Sequence, residues 1–201
     1  MKRALLVLLA LSITAGTVAA TKRLPGPVRD VVERALANER AAAARYDAFA
    51  AKADEDGYAG AAALFRAQAL AERTHAERFL SLLRSDGSAI PPEPDFAPKA
   101  EATEDNLRAA ASAERSERDG IYLEAIEACK LHGAADVAKI FDETRDTEVE
   151  HANLCNAAAR DLPSMKGAKS FYVCGQCGYT TDVKLSFCPA CMHKQALTAV
   201  E

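Results

Sequence analysis

From Pro27 to Arg160, apolar residues recur three and four positions apart, the spacing of one helical face rather than the alternation of a strand. The pattern predicts a helix from about Val28 to Glu55, stopped at Gly57, and a second from about Ala59 to Arg84. The segment Ser85 to Pro94 (SDGSAIPPEP) cannot continue a helix, because its prolines lack the backbone N–H and clash with the preceding turn. It is long enough to cross the length of a bundle. A third helix is expected from near Thr103, read as its cap, to Gly133, and a fourth from about Ala134 to Arg160. The fold class is therefore all-α: a four-helix bundle with one long crossover.

The two helix pairs are copies of one plan. Adding 76 to the residue number carries Tyr46 to Tyr122, Gly57 to Gly133, Phe65 to Phe141, Glu72 to Glu148 and His75 to His151. Five unlike residue types at one offset mark an internal repeat and predict a pseudo-twofold bundle.

Chemistry enters through that repeat. Glu72-Arg73-Thr74-His75 and Glu148-Val149-Glu150-His151 are both Glu-x-x-His, so in each the carboxylate and imidazole share a helix face. Helix one adds Glu39, with Tyr46 two turns further along the same face; helix three adds Glu114 and Glu117, followed by Tyr122. Glu39, Glu72, His75, Glu114, Glu117, Glu148 and His151 then satisfy the scheme of a bundle di-metal site, one Glu from each of two helices and Glu-x-x-His from the others, with one Glu to spare. Carboxylates gathered in a core cannot stay ionised without cations. Oxygen-rich ligation with one His per metal suits iron or manganese better than structural zinc. Glu39 to Tyr46 spans 7 residues but Glu114 to Tyr122 spans 8, the extra residue that a π-bulge in helix three would leave. Glu33, Glu77, Glu101, Glu104, Glu143 and Glu150 are read as solvated helix faces, and His132 and His193 as non-ligands.

After Leu162-Pro163 the composition changes; residues 161–170 read as a linker and a compact module begins at Phe171. Cys174-Gly175-Gln176-Cys177 and Cys188-Pro189-Ala190-Cys191 are two C-x-x-C pairs, a spacing that makes a tetrahedral all-sulfur site for iron or zinc. A zinc ribbon is one reading. Gly178-Tyr179, Pro189 and the aromatic lead Phe171-Tyr172 favour a rubredoxin-type iron site. Two disulfides are a third alternative in an oxidising compartment.

The chain of 201 residues is 49% apolar and 6% aromatic, with no Trp, in keeping with helices; the net charge of -4 gives no reason to expect nucleic acid as a partner. The first twenty residues stand apart: Lys2-Arg3, then the apolar run Ala4 to Leu11, then the small residues Val18-Ala19-Ala20. They read as an export signal cleaved to leave Thr21 first, for a periplasmic protein; left uncleaved, the segment would serve as an N-terminal anchor. Cys129 and Cys155 fall on predicted helices either side of Gly133, at heights that differ by roughly 27 Å, too far for a disulfide.

Taken together, residues 28–201 resemble the rubrerythrin family, a ferritin-like di-iron bundle followed by a rubredoxin-like domain. The resemblance rests on Glu39, Tyr46, Glu72-x-x-His75, Glu114-x-x-Glu117, Tyr122, Glu148-x-x-His151 and the four cysteines, in that order. The chain then divides into a signal at 1–20, a bundle at 21–160, a linker at 161–170 and a rubredoxin-like domain at 171–201, the signal being unusual for that family. The resemblance implies a peroxidase that reduces hydrogen peroxide to water for oxidative stress defence, with two non-haem irons in the bundle and a third held by Cys174, Cys177, Cys188 and Cys191. Zinc or manganese is the substitution to be tested. It also implies catalytic roles for Glu117, Tyr46 and Tyr122, one iron shifting between His75 and Glu117 with redox state, an electron-donor protein, and a head-to-tail homodimer in which one subunit's cysteine iron faces the other's di-iron site. Met192-His193 departs from the small or polar residues usual after the last cysteine. The rival readings are a ferroxidase using the same centre and, from another class, a non-enzymatic zinc-ribbon scaffold.

Overall fold

A computed structural model describes residues 23–95 and 97–201. The export signal expected at residues 1–20 lies outside the described residues. Among those described, no helix is long and apolar enough to cross a membrane.

Helix α1 runs Gly26–Glu55 and α2 Ala59–Asp86. The third expected helix is continuous but changes its winding: α3 spans Thr103–Ser116, a π-helical turn spans Glu117–Ile121, and α4 spans Tyr122–Leu131. Helix α5 spans Ala135–Arg160. The π-turn absorbs the extra residue counted between Glu114 and Tyr122, so Tyr122 returns to the face that Tyr46 occupies in the first pair.

Two aromatic layers fill the bundle. In one, Tyr46, Phe49 and Phe65 pack together; in the other, Tyr122, Phe79 and Phe141 do so. The repeat-related pairs have nearly equal spacing, 6.2 Å between the rings of Tyr46 and Phe65 and 6.0 Å between those of Tyr122 and Phe141. Small residues let the helices approach closely, with Ala61, Ala62, Ala63, Ala67, Ala69 and Ala71 all buried along α2. Cys155 lies in the first layer and Cys129 in the second, both as free thiols.

The crossover is fastened at both ends. Arg40 on α1 donates to the Pro91 carbonyl at 3.0 Å and pairs with Glu93 at 3.0 Å. Thr103 is the first residue of α3 and not its cap: its backbone N–H and its hydroxyl both donate to Asp56 at 3.0 and 2.8 Å. The cap is thus a carboxylate borrowed from the end of α1, which a reading of the local sequence cannot anticipate.

After α5, Leu162–Lys166 forms a 3-10 turn with Met165 buried. It crosses α2 at Gly60, where a side chain would collide with the carbonyls of Met165 and Gly167. A three-stranded antiparallel sheet follows, β1 (Phe171–Val173) between β2 (Thr180–Thr181) and β3 (Thr198–Val200). Alternation along β1 turns Phe171 and Val173 into the first aromatic layer of the bundle. The cysteine module is thereby seated on the helices of its own chain.

Candidate metal centres

Between the two aromatic layers, four helices present acidic side chains to one another. Glu39 comes from α1, Glu72 and His75 from α2, Glu114 from α3, and Glu148 and His151 from α5; all six are buried. Their donor atoms form two groups that could each hold an ion: Glu39, Glu72, His75 and Glu148, and Glu72, Glu114, Glu148 and His151. Glu72 and Glu148 belong to both. His75 Nδ1 lies 2.9 Å from Glu72 Oε2 and 3.2 Å from Glu148 Oε1, while His151 Nδ1 lies 3.3 Å from Glu72 Oε1 and 2.8 Å from Glu148 Oε2. Each shared carboxylate therefore turns one oxygen to each imidazole, the disposition of a bridge.

The protons on the imidazoles decide what fits here. His75 Nε2 is 3.1 Å from the Cys177 carbonyl and 3.0 Å from Thr147 Oγ1, and His151 Nε2 is 3.1 Å from the Gly178 carbonyl and 3.2 Å from Thr180 Oγ1. The threonine hydroxyls are already spent as donors, Thr147 on the Thr144 carbonyl and Thr180 on Gly178. Every partner of Nε2 accepts, so Nε2 carries the hydrogen. In the neutral tautomer Nδ1 is then a bare lone pair aimed at carboxylate oxygens. Glu39 Oε2, Glu72 Oε1, both oxygens of Glu148 and His151 Nδ1 are buried with no hydrogen-bond partner among the described residues. Lone pairs facing lone pairs in a dry core need cations between them, and a metal pair meets that need.

Without metal the same need is met by protons. Burial, and then the charge of Glu72, raises Glu39; burial with Glu72 and Glu148 raises Glu114. Burial alone would lower both imidazoles, but the surrounding carboxylates raise them, His151 to about 10. Burial also opposes ionisation of Glu72 and Glu148, yet the two imidazoles outweigh it and both are held below the usual carboxylate range.

The tyrosines cross-link the repeat. Tyr46 on α1 donates to Glu114 on α3, and Tyr122 on α4 donates to Glu39 on α1. Glu117 stands apart from both four-residue groups. It opens the π-turn, and burial followed by the charges of Glu148 and Glu72 pushes it up to about 8.

The cysteine sulfurs form a third group, with Cys174 and Cys191 3.7 Å apart and Cys177 and Cys188 3.6 Å apart. A tetrahedron with metal–sulfur bonds of ~2.3 Å has edges of about 3.75 Å. The six cysteines are free thiols, so the alternative of two disulfides is not what the chain adopts. The first cysteine loop lies directly on the bundle. Gly178 takes a left-handed φ of 81°, and a side chain there would overlap the His75 ring. The resemblance implies this approach between subunits; the structure makes it within one chain.

Several supporting residues carry no mark in the sequence. Thr147, Thr180 and Gly178 hold the imidazoles from behind, and Gln68 donates to the His151 carbonyl at 3.1 Å while accepting from the Cys155 thiol at 3.1 Å. Thr147 has Ala71 at the repeat-related position, so even the internal duplication gives no signal for it.

This geometry defines a class: ferritin-like bundles with a carboxylate-bridged di-metal site, here joined to a four-cysteine module. The family model for rubrerythrin matches residues 30–159, and the chain belongs to the rubrerythrin family. It is 32% identical to rubrerythrin of Porphyromonas gingivalis over 169 residues, covering 81% of this chain and 84% of that protein. It is 30% identical to nigerythrin of Nitratidesulfovibrio vulgaris over 184 residues, covering 90% and 91%. The solved structure of fully reduced, all-ferrous nigerythrin superimposes with a TM-score of 0.80 at 29% identity, covering 99% of this chain and all of that one. A Mycobacterium tuberculosis bacterioferritin, at 16% identity and a TM-score of 0.64 over 71% of this chain and 89% of its own, shares the fold.

Two expectations follow. His151 raised to about 10 stabilises the metal-free fold below its unfolded value near 6.5 and ceases to as pH rises through about 10. Glu117 raised to about 8 acts in the same sense from 4.5 upward. Metal-free protein in chelator should therefore unfold at lower denaturant at pH 9.5 than at pH 7, and metal should remove the difference; an apo-protein that gains stability over this range would refute the assignment. Deleting Gly120 should turn the π-turn into regular helix and leave Tyr122 bonded to Glu39, because seven residues then separate it from Glu114 as they separate Tyr46 from Glu39. Helicity by circular dichroism and metal affinity should both persist in this variant; an affinity lowered by roughly 10-fold or more would show that the π-turn itself shapes the site beyond keeping Tyr122 in register.

Proposed function

We propose that this chain is a peroxidase of the rubrerythrin type, reducing hydrogen peroxide to water at a di-iron centre that a four-cysteine iron re-reduces from a donor protein. One observation carries the reading: a single imidazole, His75, faces Glu39, Glu72 and Glu148 with Nδ1 and the carbonyl of Cys177 with Nε2. The two metal groups are thus one side chain apart, an arrangement suited to passing electrons and of no use to a scaffold.

Glu39, Glu72, His75 and Glu148 would hold one ion, and Glu72, Glu114, Glu148 and His151 the other. When bound, the iron pair supplies the two electrons that peroxide takes, which zinc, lacking redox chemistry, cannot do. Four carboxylates balance the charge of two divalent cations. Tyr46 and Tyr122 each bind one oxygen of a ligand carboxylate and leave the other to the ion, so they fix the carboxylate plane. Converting peroxide to two waters also consumes two protons. Glu117, a carboxyl beside the site and outside both ligand groups, would be placed to deliver one of them from its carboxyl oxygen. A head-to-tail homodimer would keep the Cys177–His75 contact by exchanging modules between subunits.

Iron-loaded protein should contain about three irons per chain and, once reduced, turn red again on adding peroxide. A Cys174→Ser variant should lose donor-dependent turnover, yet its pre-reduced di-iron centre should still consume peroxide once. Turnover untouched by the variant would overturn the relay and favour a ferroxidase. We further propose export to the periplasm on the strength of residues 1–20; N-terminal sequencing of protein recovered from the periplasm should begin at Thr21, and recovery in the cytoplasm with an intact Met1 would count against it.

A further inference from the structure

A π-turn displaces one backbone carbonyl. In a regular helix the N–H of Tyr122 would donate to the carbonyl of Arg118, four residues back; here it donates to the carbonyl of Glu117 instead. The Arg118 carbonyl thereby loses its helical donor, and a partly buried carbonyl left that way is unfavourable. Arg145 on α5 supplies the hydrogen: its Nε–H donates to that carbonyl at 2.9 Å. The side chain of Arg118 is committed elsewhere, its guanidinium holding the exposed carboxylate of Asp119 at 2.7 and 2.6 Å.

The internal repeat provides a control. The position that the offset of 76 relates to Arg145 is Ala69, which is fully buried. The helix opposite it in the first pair, α1, runs from Gly26 to Glu55 as unbroken α-helix. Where the winding is regular and no carbonyl is displaced, alanine suffices; where the π-turn displaces one, a guanidinium reaches across from the neighbouring helix. Arg145 also stands one turn before Glu148 on α5. Its bond therefore runs from the helix that carries Glu148 and His151 to the residue next to Glu117.

We propose that Arg145 is a positioning residue of the di-metal centre: by binding the carbonyl that the π-turn displaces, it fixes the extra residue at Glu117–Ile121 and so sets where the Glu117 carboxyl stands beside the ligand groups. Its consequence for turnover rests on the peroxidase reading; its consequence for the backbone does not.

The test uses two substitutions in the iron-loaded full-length protein. Arg145→Gln removes the charge but keeps a donor, because the glutamine amide nitrogen lies as many bonds from the backbone as arginine Nε. Arg145→Met keeps a long side chain that favours helix and removes the donor. In the Arg145→Met variant, amide hydrogen exchange over the π-turn should quicken by about two- to tenfold, the worth of one hydrogen bond. The Mössbauer spectrum of the oxidised iron pair should change for one iron of the two, and oxidation of the reduced centre by peroxide should slow several-fold at unchanged iron content. Arg145→Gln should match the wild type on every measure. Exchange and spectrum left unchanged by Arg145→Met would overturn the proposal. So would equal changes in Arg145→Gln, because the charge and not the bond would then be responsible. Deleting Gly120 gives a further check: with regular winding the Arg118 carbonyl regains the Tyr122 N–H, so adding Arg145→Met to the deletion should change nothing more. Equal increments in both backgrounds would place the action of Arg145 elsewhere. A wild type that peroxide does not oxidise would sink the peroxidase reading, while exchange and the resting spectrum still decide the role of Arg145.

Discussion

Four buried glutamates face two imidazoles that offer them only bare nitrogen lone pairs, and everything else in the chain serves that confrontation. Carboxylates in a dry core are costly unless neutralised, so the bundle is stable in a defined form only with cations or protons between Glu39, Glu72, Glu114 and Glu148. Protons and metal ions compete for the same atoms, which couples metal loading, pH and folding. The aromatic layers on either side of the site exclude water and hold the helices at fixed spacing, while the tyrosines in those layers reach in to orient the ligands.

The imidazoles also join the two halves of the molecule. Because the carbonyls of Cys177 and Gly178 are obligate acceptors, they assign the proton to Nε2 and free Nδ1 for the site. The cysteine module is therefore a structural part of the di-metal centre. Gly178 makes this contact sterically feasible.

Duplication gives the site its twofold plan, and a single inserted residue breaks it. The π-turn at Glu117–Ile121 keeps Tyr122 in register with Tyr46 while adding Glu117 on one side only. A symmetric frame thus offers two similar four-residue ligand groups, and Glu117 adds one carboxyl to one side of it only.

The sequence by itself determined whatever depends on local repetition. Apolar spacing marked the helices, the i, i+3 pairing of Glu72 with His75 and Glu148 with His151 marked the site, the one-residue excess before Tyr122 marked the π-turn, and the C-x-x-C pairs marked the module. These are legible because backbone hydrogen bonding imposes fixed periods, so a face or a loop can be read from spacing alone. Tertiary structure decided the rest: that Asp56 caps α3, that Thr147, Thr180 and Gln68 support the imidazoles, that Glu117 stays outside both ligand groups, and that the module rests on His75 and His151 of its own chain. His75 and Cys177 are separated by 102 positions, and nothing in the spacing near either residue records their meeting. It is fixed by how Phe171, Val173 and Met165 pack against α2, and packing of that kind has no period to read.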